Sequence, residues 1–252
     1  MKVAITGKGG VGKTLVAASL ARNLRDLGRQ VVAVDADPDT NLARTLGYRG
    51  PDIAPLAKLK ELIAKRVGGG DAWGSFLHMN PRVDDIPDQF GVRVDGIRVL
   101  VMGSIDRGRS GCACAVNVLL REVLNHLLVV GDEEVVVDME AGIEHLGRGT
   151  AEGVDLMLVV VEPGWASLQT AARIKRLAAD LGISRLGVVA NRVTCEADLE
   201  YVRENLDGLP LLAVLPLDSE LERDTRAGVY AKDRKFHQQI AQLAASVALE
   251  TR

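Results

Sequence analysis

The chain has 252 residues, 47% of them apolar but only 3% aromatic, and a formal charge of −3. That length and apolar share suit one large α/β unit with a Val, Leu, Ala and Ile core, so residues 1–252 are read as a single domain. The balanced charge, with no basic block, argues against nucleic-acid binding through a cationic face, and no apolar run is long enough to span a membrane.

In chain order, Lys2-Val3-Ala4-Ile5-Thr6 is a short apolar run of strand type. It ends in Gly7-Lys8-Gly9-Gly10-Val11-Gly12-Lys13-Thr14, and an apolar helical pattern follows at Leu15, Ala18, Leu20, Ala21 and Leu24. This is G-x-x-x-x-G-K-[ST] between a strand and a helix, the phosphate-binding P-loop. The glycines let the backbone N–H groups of Gly9, Gly10, Val11 and Gly12 turn inward, and the helix start adds its positive end. Lys13 is expected on the β- and γ-phosphates of ATP or ADP, and the Thr14 hydroxyl on Mg²⁺.

Lys8, just after the first glycine, carries a resemblance. The pattern is similar to the deviant P-loop of the ParA, MinD, nitrogenase iron-protein and ArsA-like ATPases. That likeness implies a doubly wound, mostly parallel sheet of about seven strands flanked by helices. It also implies that Lys8 reaches the nucleotide of the partner subunit in an ATP-sandwich homodimer. The plain alternative is a solvated loop lysine.

Val31-Val32-Ala33-Val34-Asp35 reads as a buried strand with a carboxylate at its end, where open parallel sheets hold ligands. Asp35-Ala36-Asp37-Pro38-Asp39 then leaves the strand. The resemblance makes this loop switch I, with Asp37 orienting the attacking water; Asp37 or Asp39 could also cap a helix over 40–46. Residues 51–96 say least. Leu56–Val67 has helical spacing, ended by Gly68-Gly69-Gly70, and 83–96 reads as an exposed loop or short hairpin. Ile97–Gly103 returns to strand character.

Cys112-Ala113-Cys114 precedes a helical pattern through Val118, Leu119, Val123, Leu124 and Leu127. In an extended segment both thiols would point the same way. A helix start beside them suits thiolates. Two thiolates under-fill the tetrahedron of a soft metal, and a two-fold axis would supply two more. A pair of small buried cysteines is the other reading. Cys195 stands alone without an assigned role. With three cysteines and no signal peptide, a reducing cytoplasm is expected.

Glu134–Asp138 is the next strand, and Asp138 is the Walker B carboxylate of the Mg²⁺ shell. Asp138-Met139-Glu140-Ala141-Gly142 reads as switch II, with Glu140 where relatives often carry proline. His145 reads as a surface histidine or a metal or partner contact. Leu156–Val161, Leu186–Ala190 and Leu211–Leu215 complete the strands, Ser167–Leu181 is an amphipathic helix, and Phe236–Leu249 closes the chain. The last helix lacks the Lys/Arg face of a membrane-targeting tail. In P-loop relatives an asparagine at the place of Asn191 reads the adenine edge; a turn asparagine is the alternative.

Taken together, Gly7–Thr14, Asp35-Ala36-Asp37-Pro38-Asp39, Cys112-Ala113-Cys114, Ala141–His145 and Arg148-Gly149-Thr150 resemble the nickel-insertion ATPases of the CooC type, which serve carbon monoxide dehydrogenase. The likeness runs along essentially the whole chain. It implies a nucleotide-controlled homodimer in which Cys112 and Cys114 of both chains hold Ni²⁺ or Zn²⁺ at the interface. It also implies a client nickel enzyme. Three alternatives stay open: a ParA- or MinD-like positioning ATPase, an iron-protein-like ATPase with an iron–sulfur cluster, and a small-molecule ATP-dependent ligase or kinase, for which the chain shows no substrate-binding constellation.

Overall fold

The sequences KVAITG, VVAVDA and LMLVVV are buried along their whole length, which parallel strands covered on both faces require. The computed structural model describes residues 1–68, 77–103, 113–130, 133–141, 148–227 and 234–249. Among them, eight strands form one sheet. They are β1 (Lys2–Gly7), β2 (Val31–Ala36), β3 (Val92–Val94), β4 (Ile97–Val101), β5 (Glu134–Met139), β6 (Leu156–Val161), β7 (Leu186–Val193) and β8 (Leu211–Pro216). Their order is β3-β4-β2-β5-β1-β6-β7-β8. Every neighbouring pair is parallel except β3 with β4.

The doubly wound α/β expectation therefore holds, with one strand more than the sequence pattern showed. The extra strand is β3, in the segment read as a loop or short hairpin. It turns back onto β4 through Asp95 and Gly96, whose φ values are 49° and 81°. Two successive positive φ angles make the tight turn that matches strand twist, and Asp-Gly is the pair that tolerates them.

The pleat sends alternate residues to opposite faces, so each face has its own core. Val32, Val34 and Ala36 of β2 join one cluster, while Val31 and Ala33 join the other. On the second side lie α1 (Lys13–Asp26) and α2 (Leu42–Thr45). The first side is covered by α3 (Lys60–Val67), α4 (Ile86–Phe90), α5 (Ala113–Asn125), α6 (Arg148–Ala151), α7 (Trp165–Asp180) and α8 (Glu196–Glu204). The chain then returns to the α1 side with α9 (Ser219–Ala227) and α10 (Lys235–Leu249).

Helix α10 closes the fold by packing against α1 and β8. Phe236 and Ile240 are fully buried there, and His237 is buried beside them. The His237 Nδ1 lies 3.0 Å from Ser19 Oγ, and its ring meets Phe236 edge-on at 5.1 Å. Burial, reinforced by the nearby Arg22 guanidinium, lowers its pKa to about 4. The native state thus holds the ring neutral, while the unfolded chain protonates it near pH 6.5.

Between those values the unfolded state binds more protons, so stability falls as pH drops from about 6.5 to about 4. The loss amounts to no more than roughly 3 kcal/mol. A His237→Gln variant should lose less stability than the parent across that interval. Denaturant titrations at pH 7 and pH 4.5 measure the difference, and equal losses would remove His237 from the acid response.

Candidate nucleotide-binding site

Parallel strands bring their C-terminal ends to one edge of the sheet. The register pairs Ile5 with Asp138, and Asp138 with Asp35, so two strand-end carboxylates stand side by side next to the P-loop. At Gly7 a Cβ would lie 2.3 Å from the Val160 carbonyl oxygen, so only glycine lets β1 pass β6 here. Gly12 precedes α1 at φ 96°, and the helix start has no side-chain cap. A Cβ on Gly12 would meet Asn191 Nδ2 at 2.5 Å. An uncapped start of a 14-residue helix behind a glycine loop is a ready anion site.

Val11 is fully buried and anchors the loop from within, while Gly9 and Gly10 are exposed. Asn191, buried near the end of β7, donates its Nδ2 to the Val11 carbonyl at 2.8 Å. That bond braces the loop with one amide hydrogen of Asn191, the residue read from the sequence as an adenine contact. No periodicity marks such a contact, because it joins residues 180 positions apart.

Lys13 is buried, and its ammonium lies 3.7 Å from Asp37 Oδ2. The structure therefore brings together the P-loop lysine and the switch I aspartate. Asp37 also accepts the Asp39 N–H at 3.0 Å, which tightens the loop. Lys8 is half-buried, and its ammonium makes no ion pair among the described residues.

The sequence reading put Asp35 at the ligand-holding end of its strand without giving it a chemical task. It is fully buried and organises switch I: Oδ2 accepts the Leu42 N–H at 2.9 Å and Oδ1 the Asp37 N–H at 3.4 Å. Burial pushes its pKa up to about 7; the Leu42 N–H opposes the shift and the Asp138 charge adds to it. The only sequence cue was its place at the end of an apolar strand.

Asp138 is also fully buried, and neither carboxylate oxygen has a hydrogen-bond partner. The Thr14 side chain, at the start of α1, favours the ionised form of Asp138. Burial raises the Asp138 pKa to about 6, with Thr14 and Lys13 pulling the other way. Two orphaned buried oxygens beside a threonine hydroxyl fit a hard cation. Mg²⁺ is commonly held by one carboxylate together with phosphate oxygens. Among the described residues there is no cluster of three or more His, Cys, Asp or Glu side chains able to hold a metal alone. From the next strand over, Thr6 Oγ1 donates to the Glu140 carbonyl at 2.7 Å and fixes the start of switch II.

The cysteine pair is only half in view. Cys112, like Gly142 and His145, lies outside the described residues. Cys114 is the second residue of α5 and is exposed. The extended geometry expected for it does not hold, because the alanines on either side start the helix earlier. Its exposure removes the reading of Cys114 as a packed core thiol. Cys195 is exposed at the start of α8.

Residues 2–229 match the CobQ/CobB/MinD/ParA nucleotide-binding domain family. The carbon monoxide dehydrogenase accessory protein CooC of Rhodospirillum rubrum is 45% identical over 92% of this chain and 90% of its own. An uncharacterised ATP-binding protein of Methanocaldococcus jannaschii is 47% identical over 88% and 87%. Among solved structures, the septum site-determining protein MinD with Mg-ADP from Pyrococcus horikoshii OT3 superposes with a TM-score of 0.71 at 25% identity. That match covers 100% of this chain and 98% of the other.

The raised Asp138 pKa gives a stability test. The native state favours the protonated carboxyl, so its contribution is intact below about pH 4 and is lost as pH rises through about 6. At pH 8 without magnesium, Asp138→Asn should stabilise the protein by about 1–3 kcal/mol, and the gain should vanish near pH 4. The same variant should lose magnesium-dependent nucleotide binding. Paired melting curves check the first point and nucleotide titrations with and without Mg²⁺ the second.

Proposed function

Because the chain belongs to the CobQ/CobB/MinD/ParA nucleotide-binding family, in the group of the accessory protein CooC, we propose that it is the metallochaperone ATPase of a nickel enzyme. In this reading a homodimer loads nickel into a client, with carbon monoxide dehydrogenase the favoured one. The observation that carries it is the 45% identity to CooC over 92% of the chain. The exposed Cys114 at the first turn of α5, two positions after Cys112 in sequence, is consistent with a soft-metal ligand.

The protein is an ATPase, and the proposal assigns roles within it. Gly9–Thr14 binds the phosphates. Thr14 and Asp138 would hold Mg²⁺, which draws charge from the phosphates when bound. Lys13 turns from Asp37 to the nucleotide. That exchange frees Asp37 to position water. Lys8, without an ionic partner among the described residues, is available to cross to the other subunit's phosphates. Asn191 keeps the loop in its binding shape.

Cys112 and Cys114 from each chain would hold one Ni²⁺ or Zn²⁺ as cargo, four thiolates completing the shell. Loss of the γ-phosphate would loosen switch II and the dimer, coupling metal affinity to nucleotide state. No described helix is long and apolar enough to cross a membrane, and the proposed setting is the cytoplasm.

Asp37→Ala should keep Mg–ATP binding but slow single-turnover hydrolysis on the order of 10²–10⁴-fold. An unchanged rate would remove Asp37 from the water-positioning role. For the metal, one ion per dimer is expected, bound with proton release. Cys112→Ser/Cys114→Ser should abolish it while leaving ATPase activity, and Cys195→Ser should not affect it. One tight Ni²⁺ per dimer retained by the double variant would place the ligands elsewhere.

A further inference from the structure

The side of the molecule that carries α3 has a feature the ATPase cycle does not use. Residues Leu56–Lys58 form a single 3₁₀ turn, and α3 follows at Lys60. Together with the end of α4 they line an open groove of about 510 Å³. Its apolar surface comes from Leu59, Leu62 and Phe90, all at least partly buried against the core. Its rim carries Lys58, Lys60, Lys65 and Arg66 against a single acid, Glu61.

Of this rim the neighbouring acids neutralise Arg66 alone. Asp85 pairs with Arg66 at 2.5 Å, Asp84 with Arg82 at 2.7 Å, and Asp88 with Arg98 at 2.8 Å. Arg66 is therefore already paired. Lys58, Lys60 and Lys65 are exposed, and none makes an ion pair among the described residues. Three unpaired ammonium groups within eight residues, over an apolar surface, stand out on a chain whose formal charge is −3.

We propose that this groove docks an acidic peptide segment of a partner protein, with carboxylates on the lysine rim and an apolar side chain against Leu59, Leu62 and Phe90. Charge complementarity favours an anionic occupant. The apolar surface favours a peptide over a nucleic acid, whose backbone would use the cations and leave the apolar part of the groove uncovered. The volume is large enough for several side chains of a peptide.

The place in the fold gives the groove a use. Ala57 donates its N–H to the Met102 carbonyl at 3.0 Å, so the turn sits at the C-terminal end of β4. Helix α3 packs against α5, whose first turn carries Cys114. A peptide held here would tether its parent protein beside the cysteine-bearing helix. The binding step itself needs neither nickel nor nucleotide, so it stands or falls separately from the metal reading.

The test is fluorescence anisotropy with a labelled synthetic peptide of glutamates flanking one Leu-Phe pair, at low ionic strength. Lys58→Glu/Lys60→Glu/Lys65→Glu should weaken binding at least about tenfold. Arg173→Glu/Lys175→Glu/Arg176→Glu on α7, with the same change in net charge, should not. Lys58→Gln/Lys60→Gln/Lys65→Gln should show the same direction with a smaller loss, and ATPase activity should persist in all three. Replacing the peptide glutamates by glutamines, or its Leu-Phe pair by alanines, should weaken binding. Equal weakening by the two glutamate triples would overturn the proposal. So would undiminished binding of either altered peptide, or tighter binding of a single-stranded oligonucleotide at the same lysines.

Discussion

The parallel register of β2, β5 and β1 is the constraint on which the site depends. It sets Asp35 beside Asp138 and carries the P-loop to the same edge. A slip of one residue would move every side chain of a strand to the opposite face. The two cores forbid such a slip, because the buried positions alternate between them along each strand. Core packing thus fixes where the strand ends that carry the site lie.

The same register concentrates charge where water is excluded. Two fully buried carboxylates stand side by side, and burial raises the pKa of both. Asp35 offsets part of that cost by taking two backbone N–H groups of switch I. Asp138 has no such compensation, and the protein keeps two buried oxygens unpaired for a cation. The site is therefore a local instability held by the surrounding sheet, as binding sites built from buried charge commonly are. Asn191 and Thr6 contribute rigidity from the flanking strands, one on the loop crest and one on the start of switch II.

Much of this was legible in the chain. The strand–glycine loop–helix pattern identified Lys13 and Thr14, and the end of an apolar run identified Asp138. Contacts between distant segments left no such mark. Nothing near Asn191 in sequence points to Val11, and Asp35 is set apart from Asp138 by the N–H groups of Leu42 and Asp37 that it accepts. Helix α8 was missed because Val202 is its only fully buried residue, so it has no apolar period. Helix α9 starts from Asp218, which accepts the N–H groups of Glu220 and Leu221, yet shows little apolar pattern beyond Leu221. The β3 turn was readable in principle, since Asp95-Gly96 is a strong hairpin pair, but three-residue strands give almost no alternation to count.

The contact between Lys13 and Asp37 has a consequence for selectivity. Asp37 acts as an internal rival for the lysine, a carboxylate standing in for the incoming anion. Any ligand must outcompete it, so weak monovalent anions at cellular concentration gain little there, while a polyphosphate wins by engaging the lysine and the loop N–H groups at once. The buried ammonium is never left without a counter-charge, and the empty fold does not rely on scavenged ions. In the proposed cycle, displacing the rival would also release the loop that carries it, so that phosphate arrival would act on switch I.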